Sequence, residues 1–241
     1  MELHIAKDPA QLSENLAAWT CNYILETLQE KELFTFVLSG GSTPKLLYTL
    51  LAKEPYAQMI PWNKIHFFWG DERAVPYSDD RNNGRMACEV LLEKVGVPKE
   101  NIHLMRTDIA PEASAEAYEL LLQKYFKRTG VTFDYVLLGM GDDGHTLSLF
   151  PGTEIVHEKK AWAKAFYLPA QEMYRITLTA PVVNQAARIV FLATGNGKAL
   201  TLQGVIEGEY KPDTYPSQVI KPVTGELHWF VDEAAAAALQ A

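Results

Sequence analysis

At 241 residues, with 48% hydrophobic and 22% charged side chains, the chain is long enough to bury a sizeable core and has the composition of a soluble globular protein. A formal net charge of −8 and a pI near 5.3 exclude general nucleic-acid binding, which needs a basic face, but leave room for a small anionic ligand held by local cations. There is no charged-then-apolar signal segment at Met1 and no apolar run long enough to span a bilayer, so a cytoplasmic protein with no membrane partner is expected.

Asp8-Pro9-Ala10-Gln11 reads as a helix start, with Asp as N-cap, Pro in the first helical position and Gln as its capping-box partner. Leu12, Leu16, Trp19, Tyr23, Ile24 and Leu28 continue at helical spacing around Cys21. The two cysteines, Cys21 and Cys88, have neither CxxC nor Cys/His spacing and read as reduced thiols. Phe34–Leu38 is a buried strand, Ser39-Gly-Gly-Ser-Thr-Pro44 a turn with Ser42 or Thr43 able to cap a helix, and Lys45–Lys53 that helix. Ile65–Trp69 is the next strand and ends in Gly70-Asp-Glu-Arg73. A polar loop over Ala74–Asn83 leads to a helix around Met86–Val95, and Asn101–Met105 is expected as a short strand. Pro111–Arg128 is a long amphipathic helix, and Asp134–Leu138 a buried strand that runs into Gly139-Met-Gly-Asp-Asp-Gly-His145. Strands are expected at Ala161–Leu168, Arg175–Leu178, Arg188–Ala193 and Leu227–Val231, and helices at Lys198–Ile206 and from Asp232 onward. Strands alternating with helices imply an α/β fold, a mostly parallel sheet with helices on both faces. No repeat or linker marks a boundary, so residues 1–241 are read as a single domain.

Chemistry concentrates at the strand ends. The Ser39–Pro44 turn offers consecutive backbone N–H groups at Gly40 and Gly41, the hydroxyls of Ser42 and Thr43, and a helix N-terminus, all of which suit an anion; an ordinary tight turn fits the same residues. Arg73 suits a two-pronged grip on an oxyanion, with Asp71 or Glu72 to orient it, although a solvated loop with a surface ion pair explains it equally. Gly139–Gly144 satisfies GxGxxG after a strand, but Asp142 and Asp143 would repel a pyrophosphate and Pro151 cuts short the helix a dinucleotide needs. His145 is the best general-base candidate, with Asp143 or Asp71 placed to set its tautomer. The other five histidines, His4, His66, His103, His157 and His228, read as structural. Arg175 and Lys198 complete the cationic set; Lys198 opposes a helix dipole, a misfit explained if it serves a bound anion.

Together, Ser39–Pro44 (SGGSTP), Asp71–Arg73 with Val75-Pro76, Gly139–Pro151 (GMGDDGHTLSLFP), Arg175–Thr179 with Pro181 and Asn184, Gly195 with Lys198, and Leu227–Asp232 (LHWFVD) resemble the 6-phosphogluconolactonase family, which is related to glucosamine-6-phosphate deaminase/isomerase. The motifs occur in the family's order along nearly the whole chain. The resemblance implies a Rossmann-like fold and hydrolysis of 6-phospho-D-glucono-1,5-lactone, the second step of the oxidative pentose phosphate pathway, with no metal or cofactor. It implies His145 as the base that activates water, with Asp71, Arg73 and Asp143 beside it. Gly40, Gly41, Ser42, Thr43, Arg73, Asn83, Gly144, Arg175 and Lys198 are then the phosphate and lactone contacts. Asn82 departs from the family's pattern while Asn83 keeps it. Phe150 stands where the deaminase branch carries a proton-shuttling Glu, so the sequence leans to the lactonase. The expected partner is a phosphorylated sugar lactone, met by a monomer or weak homo-oligomer; a deaminase, a nicotinamide dehydrogenase and a non-catalytic sugar-phosphate sensor are the rival readings.

Overall fold

The computed structural model describes residues 1–127 and 129–240. Strands β1 (Glu2–Ala6), β2 (Phe34–Leu38), β3 (Ile65–Trp69), β5 (Tyr135–Gly139), β8 (Arg188–Ala193) and β9 (Glu226–Asp232) form one six-stranded sheet in the order β1-β9-β8-β5-β2-β3, and all five pairings are parallel. Strands β4 (Asp71–Arg73), β6 (Ala163–Leu168) and β7 (Met173–Leu178) make a separate antiparallel sheet in the order β4-β7-β6. Helices are α1 (Pro9–Glu30), α2 (Ser42–Leu51), α3 (Tyr56–Met59), α4 (Asn83–Ala87), α5 (Pro111–Phe126), α6 (Ala180–Val183), α7 (Ala199–Ile206) and α8 (Glu233–Ala236). Among the described residues, no helix is long and apolar enough to cross a membrane.

The central strands are apolar on both faces because both are covered. Side chains alternate along them: Phe36, Leu38, Phe67, Trp69, Tyr135 and Leu137 pack toward α1 and α2, whereas Val37, Phe68, Val136 and Leu138 pack toward α5, α6 and the small sheet. Each such side chain stabilises by roughly 1.5–3 kcal/mol on burial. Buried Asp134 is fully paired at the sheet's lower edge, whereas the indole N–H groups of Trp69 and Trp229 have no partner among the described residues. The Asp134 carboxylate accepts the backbone N–H of Thr35 at 2.9 Å and its hydroxyl at 2.8 Å, and Lys31 closes the group, so β2 and β5 are clamped at their N-terminal ends.

The α/β class read from the sequence holds, with the strand runs at Phe34–Leu38, Ile65–Trp69 and Arg188–Ala193 as expected. Differences have physical causes. The small antiparallel sheet was not anticipated, because the Asp71–Arg73 strand is only three residues of charged sequence. Strand β1 is half exposed at the sheet edge and lacks an apolar run. Asn101–Met105 forms no strand; Ile102 makes an isolated bridge to Phe67, and His103 stacks on His66 with both rings bonded to the Tyr125 hydroxyl. Helix α2 begins at Ser42 rather than Lys45, with Gly41 at φ +106° as the N-cap in place of Ser42 or Thr43. The helix expected over Met86–Val95 starts at Asn83 and widens into one wide turn over Cys88–Leu92. The helix expected to end at Arg128 is observed over Pro111–Phe126, Arg128 itself lying outside the described residues. Asp8 caps α1 through the Gln11 N–H at 2.9 Å, and both cysteines are free and buried.

Candidate active site

The C-terminal ends of β2, β3 and β5 point the same way in a parallel sheet, so the loops after Leu38, Trp69 and Gly139 meet at one rim. Between them lies a cavity of about 150 Å³ lined by Ser39, Gly40, Asp71, Arg73, Asn83, Gly139, Met140, Gly141, His145, Leu147 and Arg175. Larger hollows exist, such as one of about 570 Å³ beside α5 and β6, but its polar lining is mainly acidic and lacks a base–cation pairing.

His145 is half-buried, and its Nδ1 lies 2.5 Å from Asp143 Oδ1. Asp143 also accepts the His145 backbone N–H at 3.1 Å, which fixes the pair within one turn. Burial alone would raise the Asp143 carboxyl; the hydrogen bond and charge of His145 outweigh it and hold the group below its ordinary value. With Nδ1 engaged, Nε2 is the free ring nitrogen and has no partner among the described residues. The imidazole stacks on Phe150, ring centroids 4.2 Å apart, so its back is apolar and its tilt is set. Gly141 permits this arrangement: a Cβ there would overlap His145 Nδ1 and crowd Asp143 Oδ1 at 2.6 Å. Gly141→Ala should therefore lower kcat by about 10²-fold, the cost of moving a reacting group by about 1 Å, at near-wild-type melting temperature. Steady-state kinetics beside thermal melting checks this, and an unchanged kcat would show that the ring's position does not matter.

Leu147 adopts φ +55°, a left-handed conformation costly for a branched side chain and characteristic of sites whose surroundings impose it. It turns the chain so that Ser148 faces inward. Ser148 Oγ donates to Asp71 Oδ2 at 2.6 Å and accepts from Arg175 Nε at 2.9 Å, while Arg175 Nη2 reaches the same Asp71 oxygen at 2.6 Å. Asp71 and Arg175 are both buried, paired across β4 and β7. Burial opposes ionisation of Asp71, but Arg175, Arg73 and the Ser148 hydroxyl together hold its carboxyl below the ordinary value. Most of the Arg175 guanidinium is thus committed inside the protein.

Arg73 is placed differently. Its Nη1 donates to the Arg81 carbonyl at 2.7 Å, while its buried Nε has no partner among the described residues. Arg73 lines the cavity, and a guanidinium there, with only its Nη1 committed to a protein acceptor, fits an anionic ligand. Behind it, Glu72 accepts the N–H groups of Arg73, Asn83 and Gly84 at 2.8 Å each, tying β4 to the start of α4. Burial pushes the Glu72 carboxyl up to about 7 against the pull of those donors. Asn83 donates to the Asp71 carbonyl at 2.9 Å and fills the space where a Cβ on Gly40 would be, which explains that glycine. Asn82 caps α4 by accepting the Arg85 N–H at 2.8 Å.

Of the residues singled out from sequence, Gly40, Asp71, Arg73, Asn83, His145 and Arg175 line the cavity, with Asp143 directly behind His145. Gly41, Ser42 and Thr43 are outside that lining; they follow Gly40 at the start of α2, where the first-turn N–H groups lack helical partners, and Thr43 bonds to Thr194 at 3.2 Å. Lys198 stands one residue before α7 and binds the Met140 carbonyl and, at 3.0 Å, Asp142, so the charge that seemed misplaced bridges to the Gly-Asp-Asp loop. Gly144, at φ +79°, turns away from the cavity, and its carbonyl accepts from Ser217. Ser39, Gly141, Leu147 and Ser148 fall inside the SGGSTP and GMGDDGHTLSLFP stretches read from sequence, but sequence reasoning assigned them no individual role at the site. Of these, Ser148 carried a readable signal as a hydroxyl two residues before the stacking Phe150.

The fold and this rim define an α/β protein with an imidazole–carboxylate pair and a cluster of arginines at the strand ends. The sequence model of the family described as "Glucosamine-6-phosphate isomerases/6-phosphogluconolactonase" matches residues 7–229. The chain is 41% identical over 216 residues to a 6-phosphogluconolactonase of Synechocystis sp., covering 88% of this chain and 87% of that one. It is 40% identical over 198 residues to one of Haemophilus influenzae, covering 82% and 84%. The solved 6-phosphogluconolactonase of Trypanosoma cruzi superposes with a TM-score of 0.88 at 27% identity, covering 100% of this chain and 97% of that one. The chain belongs to the glucosamine-6-phosphate isomerase/6-phosphogluconolactonase family.

Proposed function

We propose that this chain hydrolyses 6-phospho-D-glucono-1,5-lactone to 6-phospho-D-gluconate, with His145 as the base that activates water. The observation that carries the reading is the half-buried His145, tethered through Nδ1 to Asp143 and free at Nε2, lining the same cavity as Arg73. The names of the curated relatives point to the same substrate.

A lactone carbonyl is already electrophilic, so this chemistry calls on no metal or cofactor. His145 Nε2 takes a proton from water as the water oxygen bonds to the carbonyl carbon. Asp143 stabilises the imidazolium that forms. Arg73 and the N–H groups at the start of α2 face the negative charge of the intermediate or of the phosphate. The carbon–ring-oxygen bond then breaks, His145 returns its proton to the leaving oxygen, and the new carboxylic acid ionises. Asp71 and Arg175 serve as the rigid wall of the cavity. In this reading the chain acts at the second step of the oxidative pentose phosphate pathway.

Phe150 separates this reading from the deaminase. Its ring lies flat against His145, and a phenyl group moves no protons, so ring-opening proton transfer on an amino sugar has no carrier there. The test supplies freshly made 6-phosphogluconolactone and, separately, glucosamine 6-phosphate. Acid release above the spontaneous rate with no ammonia supports the reading; ammonia release without lactone turnover overturns it. Arg73→Lys should reduce kcat/KM about 10–100-fold, the worth of a charged hydrogen bond of about 1.5–3 kcal/mol. Unaltered kinetics of that variant would remove Arg73 from the anion grip.

A further inference from the structure

At the opposite end of the sheet from the catalytic loops, β1 and β9 bring three ligand-type side chains together. Glu2 and His4 are two residues apart and share one face of β1, and Glu2 lies in register with His228 on β9. His4 Nε2 is 3.2 Å from His228 Nδ1, His228 Nδ1 is 3.4 Å from Glu2 Oε2, and His4 Nε2 is 3.8 Å from the same oxygen. A tetrahedral zinc ion with ligands at about 2.0–2.1 Å places any two of them roughly 3.3–3.4 Å apart. The three atoms therefore outline one face of such a tetrahedron.

The surroundings have the build of a metal centre. His228 Nε2 lies 3.3 Å from Glu226 Oε2, and Arg188 Nε fixes that carboxylate at 2.6 Å. A carboxylate on the far ring nitrogen sets the tautomer that leaves Nδ1 as a lone-pair donor, an arrangement typical of ligating histidines. The His4 ring is held against Phe230 at 4.1 Å. A surface hollow of about 350 Å³, lined in part by Glu2, Glu226 and His228, leaves access for an ion and a water.

We propose that Glu2, His4 and His228 form a tetrahedral site for a divalent transition metal of the zinc class, with water as the fourth ligand. Imidazole and carboxylate donors suit zinc and cobalt over calcium or magnesium. Binding ties the N-terminal strand to the sheet. It leaves the chemistry untouched, because the catalytic cavity lies at the other ends of the strands. The proposal is independent of the lactonase reading, since its readouts are binding and stability.

The test uses full-length protein free of any affinity tag and stripped with a chelator, titrated with Zn²⁺ by calorimetry and with Co²⁺ by visible absorption. Expected are saturation at one equivalent, the intense bands of four-coordinate cobalt, and a raised melting temperature. His4→Ala and Glu2→Gln, both at accessible positions, should abolish the cobalt bands. Glu226→Gln should weaken Zn²⁺ binding about 10–100-fold through loss of the supporting carboxylate. Absence of saturable binding overturns the proposal. So does full binding by a natively folded His4→Ala protein, which would place the metal on another cluster such as His66 and His103.

Discussion

Arg175→Ala is expected to destabilise the protein by about 3–5 kcal/mol, the cost of breaking a buried ion pair by removing one partner. Asp71 keeps its burial but loses the 2.6 Å bond from Nη2, and Ser148 loses the Nε–H that it accepts at 2.9 Å. Against a total stability of about 5–15 kcal/mol this is a large fraction. The pH dependence follows from the same pair. In the wild type the Asp71 carboxyl sits below its ordinary value, because its cationic and hydroxyl partners overcome the burial that would raise it. Its contribution is fully present above the unfolded pKa and is lost only as pH falls through the depressed folded value. With Arg175 gone, burial dominates and the folded pKa moves upward. The folded variant then binds a proton more tightly than its unfolded chain, and acid partly relieves the defect. Denaturant unfolding of both proteins at neutral and mildly acidic pH should show the stability gap narrowing on acidification. Equal stability at neutral pH, or a gap that widens in acid, would contradict the pairing as described.

How much of this was legible before the fold was known varies by residue. The parallel sheet was readable because strands such as Phe34–Leu38 and Ile65–Trp69 alternate with helical stretches, and their apolar runs fit a sheet covered on both faces. The rim was readable because glycines, acids and a histidine cluster directly after such strands. The division of labour among the charges was not. Sequence alone makes Arg73, Arg175 and Lys198 equivalent cations. Only the antiparallel pairing of β4 with β7 places Arg175 opposite Arg73 and against Asp71, while Arg73 keeps an unpaired nitrogen. Gly141 was likewise opaque: its necessity comes from the imidazole curling back over it, a contact between neighbours in the same turn that no periodicity records. Strand β1 was missed because edge exposure erases the apolar pattern by which strands are recognised, and with it went the meeting of His4 and His228.

His145→Ala should lower kcat by about 10²–10⁴-fold, the usual worth of a positioned base. At about 1.36 kcal/mol per decade this is roughly 3–5 kcal/mol of barrier. The KM should change little, because the proposed mechanism assigns the grip on the phosphorylated ring to Arg73 and the start of α2, not to His145. The fold should survive, since His145 is only half-buried and its contacts are a solvent-reaching Asp143 and the face of Phe150. The most direct measurement is therefore the saturating rate of ring opening on freshly generated 6-phosphogluconolactone by wild-type and His145→Ala protein, each corrected for spontaneous hydrolysis. A wild-type rate well above background that collapses in the variant is the predicted result. A variant that turns over the lactone within a few-fold of wild type would contradict the account.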